Sequence, residues 1–171
     1  MNDEELQILA RQVKLVLTDV DGVLTDNGVY YSEAGEMLKR FSIRDGMGVE
    51  RLRKICGIET GIITGELSPS VAKRAAKLNI TELHLGIKNK VSLLHEIAER
   101  KNITPSQIAY IGDDVNDMEI MEKVGIAACP EDAMAQIKRI VHFTCANKGG
   151  YGAFREFAEF LITAYNNSIL S

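Results

Sequence analysis

The sequence predicts an α/β protein with one parallel sheet that carries helices on both faces, and three observations lead to this prediction. The chain has 171 residues, of which 46% are hydrophobic, and this size suits a single domain with a full core. Short apolar runs alternate with segments whose apolar residues recur every three or four positions. Such alternation forms βαβ units, whose right-handed crossovers give a parallel sheet.

Six short apolar runs are predicted as strands and five amphipathic segments as the helices between them. The strands are Val13–Thr18, Ile58–Thr64, Glu82–Leu85, Ile108–Ile111, Ile126–Ala128 and Ile140–Phe143. The helices are Gly46–Ile55, Ser68–Leu78, Asn89–Arg100, Asp117–Val124 and Ala133–Arg139. A final helix is predicted from about Ala153 to Tyr165.

Two segments lie outside this alternation. The stretch "VYYSEAGEMLKRFSI", from Val29 to Ile43, has two extended runs around Glu33–Glu36 and predicts a β-hairpin with Gly35 in its turn. The glycines of "NKGGYGAFREF" predict a flexible stretch before the final helix. We therefore expect a single domain over residues 1–171, with a hairpin flap at about 27–43 and a C-terminal tail at about 147–171.

Composition excludes several classes of function. The 20 Lys and Arg residues are outnumbered by 24 Asp and Glu, and no basic block is present that would follow a nucleic-acid backbone. Cys56, Cys129 and Cys145 are scattered and lack the spacing of a disulfide framework or a zinc site. The N-terminal "MNDEELQILARQ" differs from a signal peptide, and no apolar run reaches the length of a membrane span. We expect a cytoplasmic protein without nucleic-acid or membrane partners.

Polar residues follow four successive predicted strands. Asp19 and Asp21 follow the first strand, Thr64–Glu66 the second, Gly86–Lys90 the third and Gly112–Asp117 the fourth. Because the carboxyl ends of parallel strands meet at one edge of the sheet, we expect these residues to lie together. Carboxylates hold Mg²⁺, while a hydroxyl and an ammonium group bind phosphate.

The two aspartates after the first strand suit a division of labour. Asp19 can attack phosphorus to form an aspartyl-phosphate, and Asp21, two residues later on the same side, can protonate the leaving oxygen and later deprotonate water. Lys90 would add positive charge beside the transferring group. This chemistry, with Mg²⁺, is that of a phosphatase.

Each of these features also has a purely structural interpretation. An Asp-x-Asp pair is common in turns, Thr64 could cap a helix, and Lys90 could be a solvated residue at a helix start. The acidic loop at 112–117 could simply cap the helix that follows it. What favours the catalytic interpretation is that all four features follow strands in succession.

The motifs "DVDGVLTD", "IITGE", "IKNK" and "YIGDDVND" resemble the four signature motifs of the haloacid dehalogenase superfamily, in the same order. The small chain, the hairpin, "KRFSIRDG" and the tail "GGYGAFREF" resemble the 3-deoxy-D-manno-octulosonate 8-phosphate (KDO 8-P) phosphatases, from about Val13 to Phe160. The resemblance implies a Rossmann-like fold without a large cap domain. It also implies a Mg²⁺-dependent phosphatase of lipopolysaccharide precursor biosynthesis that acts on a phosphorylated keto-sugar acid.

The resemblance further implies roles for individual residues. Asp19 would be the nucleophile and Asp21 the general acid/base. Mg²⁺ would be held by the Asp19 carboxylate, the Asp21 backbone carbonyl and Asp113. Thr64, Gly65 and Lys90 would bind the phosphoryl group, and Asp114, Asn116 and Asp117 would lie beside the metal ligands.

The resemblance also implies a homotetramer in which a neighbour's tail helps to close the pocket. Arg44, Arg74 and the Gly149–Gly152 stretch then become candidate substrate contacts. The sequence departs from the family at Tyr151, where octulosonate-phosphate phosphatases often have arginine. This departure keeps a nonulosonate (sialic-acid-type) 9-phosphate phosphatase open as an alternative. Two others stay open on other grounds: a non-enzymatic phospho-accepting signalling domain, which also uses an aspartate, threonine and lysine on a parallel sheet, and an inactive tetrameric scaffold, suggested by the exposed-looking hairpin and tail.

Overall fold

Six parallel strands form the central sheet of the computed structural model, which describes residues 2–169. They are β1 (Leu15–Thr18), β4 (Glu59–Ile63), β5 (Glu82–His84), β6 (Ile108–Ile111), β7 (Ile126–Cys129) and β8 (Phe143–Thr144). An antiparallel hairpin of β2 (Thr25–Ser32) and β3 (Gly35–Phe41) follows β1. The sheet order is β5-β4-β1-β6-β7-β8, which confirms the predicted fold class.

Seven helices surround the sheet in the described part of the chain. They are α1 (Asp3–Arg11), α2 (Ile43–Arg51), α3 (Pro69–Lys77), α4 (Lys90–Lys101), α5 (Met118–Met121), α6 (Ala135–Lys138) and α7 (Ala153–Ile169). A π-helical turn at Leu52–Cys56 extends α2, and short 3₁₀ turns precede β6 and α5. None of the helices within residues 2–169 combines the length and apolar character needed to cross a lipid bilayer.

Strand β1 lies at the centre of the sheet, and all four of its residues are buried. Its Leu17 is paired with Gly61 of β4 on one side and with Tyr110 of β6 on the other. The chain runs outward in opposite directions on the two sides of β1, and such a switch point opens a crevice at the carboxyl end of the strand. The loop after β1 therefore lies at the centre of this crevice.

The alternating side chains of β1 belong to two hydrophobic cores, one on each face of the sheet. Val16 packs in the larger core, where α7 contributes the fully buried Phe154 and Phe157. Leu15 and Leu17 point to the opposite face and pack with residues of α4. Burial of each large apolar side chain contributes about 1.5–3 kcal/mol. The two cores thus hold β1 rigidly from both faces.

Several elements differ from the prediction. Helix α1 was not predicted, although Asn2 and Glu5 form a reciprocal capping box with N···O distances of 2.8 and 2.9 Å. Helix α2 begins at Ile43 rather than Gly46, because the Ser42 hydroxyl accepts the backbone N–H groups of the first turn. The predicted strand Ile140–Phe143 is wrong in its first part. There the backbone is still turning, since the Ile140 N–H donates to the Ile137 carbonyl at 3.0 Å.

The hairpin carries exposed aromatic side chains. Tyr30 and Tyr31 of β2 are 61% and 69% exposed. The turn at residues 33–34 leads into Gly35, whose φ of 104° lies in the region that favours glycine. The hairpin predicted after the first strand is confirmed, and it begins at Thr25, directly after the loop that carries the acidic residues.

The glycine-rich segment before α7 is packed, whereas we expected a flexible stretch. Gly149 and Gly150 are buried, and the Gly150 N–H donates to the Val23 carbonyl at 2.9 Å. A Cβ at Gly149 would lie 1.8 Å from the Gly22 carbonyl oxygen, so only glycine permits this approach. The segment therefore rests against the β1–β2 loop of its own chain.

Candidate active site

The loop after β1 places Asp19 at the bottom of a cavity. The Asp19 N–H donates to the Ile111 carbonyl at 3.0 Å, so the residue continues the pairing of β1 with β6. Its carboxylate oxygen Oδ1 accepts the Val20 N–H at 2.7 Å, and the residue is 5% exposed. Asp21 points to the same side, and its side chain is 23% exposed. Both aspartates line the cavity.

Lys90, the first residue of α4, lies directly beneath Asp19. Its Nζ donates to Asp19 Oδ2 at 2.8 Å, to Asp117 Oδ1 at 2.6 Å and to the Tyr110 hydroxyl at 3.0 Å. The Lys90 side chain is 3% exposed. Burial lowers its pKa, but the negative charges of Asp19 and Asp117 outweigh that effect and raise it. Lys90 is therefore a buried cation between two carboxylates.

Asp117 is fully buried and satisfied on both of its oxygens. Oδ1 accepts from Lys90 and from the Tyr110 hydroxyl, the latter at 2.6 Å, and Oδ2 accepts the Asp113 N–H at 3.1 Å. Burial and the nearby carboxylates raise the pKa of Tyr110 well above its ordinary value, so the hydroxyl stays a donor. Asp117 thus supports both Lys90 and the backbone of Asp113.

Asp113 enters the cavity from the loop after β6. A Cβ on Gly22 would lie 2.0 Å from Asp113 Oδ2, so the absence of a side chain at Gly22 is what admits this carboxylate. The Asn27 amide donates to the same oxygen at 3.2 Å. Asn27 itself has a φ of 63°, a left-handed conformation that asparagine tolerates.

Three carboxylates among the described residues 2–169 lie close enough together to form a metal site. One oxygen from each of Asp19, Asp113 and Asp117 lies within 4.8 Å of the others. Burial, together with the charge of Asp117, raises the pKa of both Asp19 and Asp113 to about 7. Hard oxygen donors held this close are the ligands that Mg²⁺ takes, and a bound cation would relieve the repulsion between them. The carboxylates of Asp19 and Asp113 therefore fit the expected Mg²⁺, whereas Asp117 already accepts hydrogen bonds on both of its oxygens.

The loop after β4 forms the opposite wall of the cavity. Thr64 is 1% exposed, and its hydroxyl accepts the Glu66 N–H at 3.2 Å. The Ile87 N–H donates to the Thr64 carbonyl at 2.9 Å, which fixes the turn against the loop that leads to Lys90. The cavity has a volume of about 170 Å³. Its lining residues are Asp19, Asp21, Asn27, Thr64, Gly65, Glu66, Asp113, Asp114 and Asn116.

The cavity brings together most of the residues singled out from the sequence, and Lys90 and Asp117 lie beneath it. Arg44 and Arg74 lie elsewhere. Arg44 is exposed and lines a separate groove with Tyr151. The Arg74 guanidinium donates to the Ser42 carbonyl at 2.7 Å and lies 5.7 Å from the Phe41 ring, so within one chain it packs against the hairpin base.

Sequence reasoning missed two polar residues at this site. Asn27 lines the cavity, and Lys39 of β3 places its Nζ 2.5 Å from Asp21 Oδ2. Glu66, which was grouped with Thr64 from the sequence, also lines the cavity. Lys39 carried no signal, because a lysine in an exposed-looking hairpin is normally solvated.

Comparison with known proteins is consistent with this geometry. Residues 61–153 match the family model of haloacid dehalogenase-like hydrolases. The chain is 39% identical over 155 residues to the 3-deoxy-D-manno-octulosonate 8-phosphate phosphatase of Escherichia coli K12. The alignment covers 91% of this chain and 82% of the relative.

Solved structures agree in fold over nearly the whole chain. The crystal structure of 3-deoxy-D-manno-octulosonate 8-phosphate phosphatase from Yersinia pestis superposes with a TM-score of 0.92 at 35% identity, covering 95% of this chain and 88% of that one. The enzyme from Moraxella catarrhalis, in complex with magnesium ion, phosphate ion and a KDO molecule, gives 0.92 at 32% identity and covers 99% and 97%. The chain therefore belongs to the 3-deoxy-D-manno-octulosonate 8-phosphate phosphatase family of the haloacid dehalogenase-like hydrolases.

Proposed function

We propose that this protein hydrolyses KDO 8-P to the free sugar acid and phosphate, in lipopolysaccharide precursor biosynthesis. The observation that carries the proposal is the position of Asp19, whose carboxylate lies at the bottom of the cavity between Lys90 and Asp113. Membership of the KDO 8-P phosphatase family supports the choice of substrate. We also propose that residues 1–171 act as a single catalytic domain with the hairpin as its flap.

The reaction proceeds in two steps at the same site. An Asp19 carboxylate oxygen attacks phosphorus, the bond from phosphorus to the sugar oxygen breaks, and Asp21 gives that oxygen a proton. Asp21, now a carboxylate, then takes a proton from a water molecule as the water attacks phosphorus and releases Asp19. Lys90 holds the Asp19 carboxylate in place through its 2.8 Å contact.

The residues around Asp19 would hold the metal and the phosphoryl group. The Asp19 carboxylate, the Asp21 backbone carbonyl and Asp113 would hold Mg²⁺, which supplies neutralisation of phosphoryl charge when bound. The Thr64 hydroxyl and the Gly65 backbone would bind phosphoryl oxygens, together with Lys90. Asp114, Asn116 and Asp117 would surround these ligands, Asp117 through the contacts it makes to Lys90 and Asp113.

Tyr151 keeps a nonulosonate 9-phosphate as a second candidate substrate. Its ring is 54% exposed and stacks beneath Arg40, whose guanidinium carbon lies 4.3 Å from the ring centroid. A tyrosine here offers no charge of its own to an acidic sugar. We keep Arg44 and Arg74 as candidate substrate contacts in an assembled oligomer, because one chain by itself does not bring them to the cavity.

A substrate panel tests the proposed function. We expect kcat/KM for KDO 8-P to exceed that for nonulosonate 9-phosphates by about tenfold or more, the range that one altered contact supplies. EDTA should remove the activity and Mg²⁺ should restore it. Preference for a nonulosonate 9-phosphate would transfer the assignment to that substrate, and uptake of one phosphate per chain without turnover would indicate a signalling domain. Phosphate release with each ester is the measurement.

We propose a homotetramer, located in the cytoplasm. The exposed apolar side chains of the hairpin support the assembly: Tyr30, Tyr31, Met37 and Leu38 are between 47% and 69% exposed on this two-stranded arm. Burial of such a patch against another copy removes apolar surface from water. Light scattering distinguishes the tetramer from an 18.9 kDa monomer, and a monomer at working concentration would contradict the proposal. The three unpaired cysteines suit a reducing compartment.

A further inference from the structure

Lys39 is a buried lysine on the otherwise exposed hairpin. Its side chain is 1% exposed, and Nζ lies 2.5 Å from Asp21 Oδ2 and 3.7 Å from Glu36 Oε2. Lysine is almost never buried unless its charge is paired. The ammonium group of Lys39 therefore owes its position to these two carboxylates.

The contact to Lys39 completes the support of Asp21. The other carboxylate oxygen, Oδ1, accepts the Thr25 hydroxyl at 3.3 Å. Thr25 is fully buried at the start of β2, and its single hydroxyl proton is shared between this oxygen and the Val20 carbonyl, which lies 3.4 Å away. Asp21 is thus held on both oxygens, by one residue from each strand of the hairpin.

The contacts continue beyond the hairpin to the N-terminus of α3. Glu36 accepts a hydrogen bond from the hydroxyl of Ser68, which is 1% exposed. The same Ser68 oxygen accepts the Val71 N–H at 3.4 Å and caps α3. A row of polar contacts therefore runs from Asp21 through Lys39 and Glu36 to the helix that follows the Thr64 loop.

We propose that Lys39 is a positioning residue, which sets the direction of the Asp21 carboxyl group towards the leaving oxygen of the substrate. The proposal rests on the proposed function, because it requires Asp21 to be the proton donor. A buried ion pair adds little net stability, since desolvation offsets much of the attraction, so stability alone does not account for Lys39. The contact instead fixes the orientation of the Asp21 side chain, both as the acid that protonates the leaving oxygen and as the carboxylate that then takes a proton from water. A proton donor must lie within hydrogen-bond reach of its acceptor.

The leaving group separates this role from a structural one. A sugar alkoxide is a poor leaving group and needs a proton as it departs, whereas p-nitrophenolate departs readily without one. Misdirection of Asp21 should therefore slow the sugar ester more than the aryl ester. A general loss of structure would slow both equally. Since kcat/KM reports the steps up to departure of the leaving group, it is the parameter to compare.

The experiment compares Lys39→Met, Lys39→Arg and a control, Lys54→Met, whose side chain is 70% exposed in the wild type. We expect Lys39→Met to lower kcat/KM for KDO 8-P about 100-fold and that for p-nitrophenyl phosphate less than about tenfold, given the usual size of general acid catalysis. Lys39→Arg, which keeps a donor to Asp21, should recover part of the loss on the sugar ester. Lys54→Met should match the wild type on both esters.

An equal loss on both esters for Lys39→Met, with a normal thermal melt, overturns the proposal. If Lys39→Met does not fold, Glu36→Gln replaces it, because that change keeps Lys39 but removes the carboxylate beside it. In Glu36→Gln, kcat/KM should again fall more for the sugar ester than for the aryl ester, although by a smaller factor than in Lys39→Met. Equal losses on the two esters again overturn the proposal. A wild-type protein that turns over neither ester refutes the proposed function instead.

Discussion

Replacement of Asp19 by asparagine is expected to lower phosphate release by at least about 10⁴-fold, since the covalent step loses its nucleophile. An amide oxygen does not displace an alkoxide from phosphorus at a useful rate. The fold should be retained, because asparagine has nearly the same shape and can still accept the Val20 N–H. Removal of a buried carboxylate whose pKa is raised to about 7 also removes a desolvation penalty.

Steady-state phosphate release and a thermal melt of Asp19→Asn test this expectation. The matched control is Asp26→Asn at the start of β2, directly after the loop that carries Asp19. Asp26 pairs with Arg40 at 3.3 Å and does not line the cavity, so this variant should keep wild-type turnover. Full turnover by Asp19→Asn would eliminate the covalent mechanism. A parallel loss in Asp26→Asn would mean that the loop, rather than the nucleophile, had been damaged.

The Lys90→Met variant is expected to lose both stability and activity. Removal of the Lys90 ammonium group leaves Asp19 and Asp117 buried without a counter-charge, and an uncompensated buried ion costs about 3–5 kcal/mol of stability. Turnover should fall by roughly 10³-fold, because a donor at the transferring phosphoryl group is lost. Mg²⁺ near Asp19 and Asp113 should return part of the lost stability, since it replaces some of the missing positive charge.

Urea unfolding with and without Mg²⁺ measures the stability of Lys90→Met, and phosphate release measures its activity. Lys88→Met, a change at an exposed lysine on the same loop, is the control and should unfold like the wild type. A Lys90→Met variant as stable as the wild type in EDTA would show that Asp19 and Asp117 do not need the ammonium group.

Local sequence signals predicted most of the fold, and they were weakest where tertiary contacts decide the backbone. The run Ile108–Ile111 was predicted to the residue because it is wholly apolar and buried on both faces of the sheet. Ile140 and Val141 were predicted as strand because they are β-branched. In the structure they pack against the core that contains Leu15 and Leu17, while the backbone completes the turn after α6. Apolar composition indicated burial there, and the type of element depended on the neighbouring helix.

The residues at the carboxyl ends of β1, β4 and β6 could be grouped from sequence, because parallel strands bring their ends to one edge. Lys39 could not be grouped with them. It reaches Asp21 only because the hairpin folds back over the β1 loop. The local sequence pattern does not determine the orientation of the hairpin relative to that loop. Arg74 is the opposite case, because the sequence suggested a substrate contact for it. In the structure its guanidinium instead donates a hydrogen bond to the Ser42 carbonyl.

The glycine-rich tail shows the same limit. Its composition predicted freedom of the backbone, whereas at Gly149 the absence of a side chain instead permits close packing against Gly22.

The sequence by itself determined the order of strands and helices along the chain, and the carboxylate, hydroxyl and ammonium groups available at one edge of the sheet. These follow from periodicity and from the topology of parallel sheets, which are local or general properties. Only the tertiary structure decided which of those groups touch. It placed Lys90 between Asp19 and Asp117, admitted Asp113 over Gly22, and brought Lys39 to Asp21. The physical reason is that hydrogen bonds and ion pairs depend on differences of an ångström, which arise from the packing of segments distant in the chain.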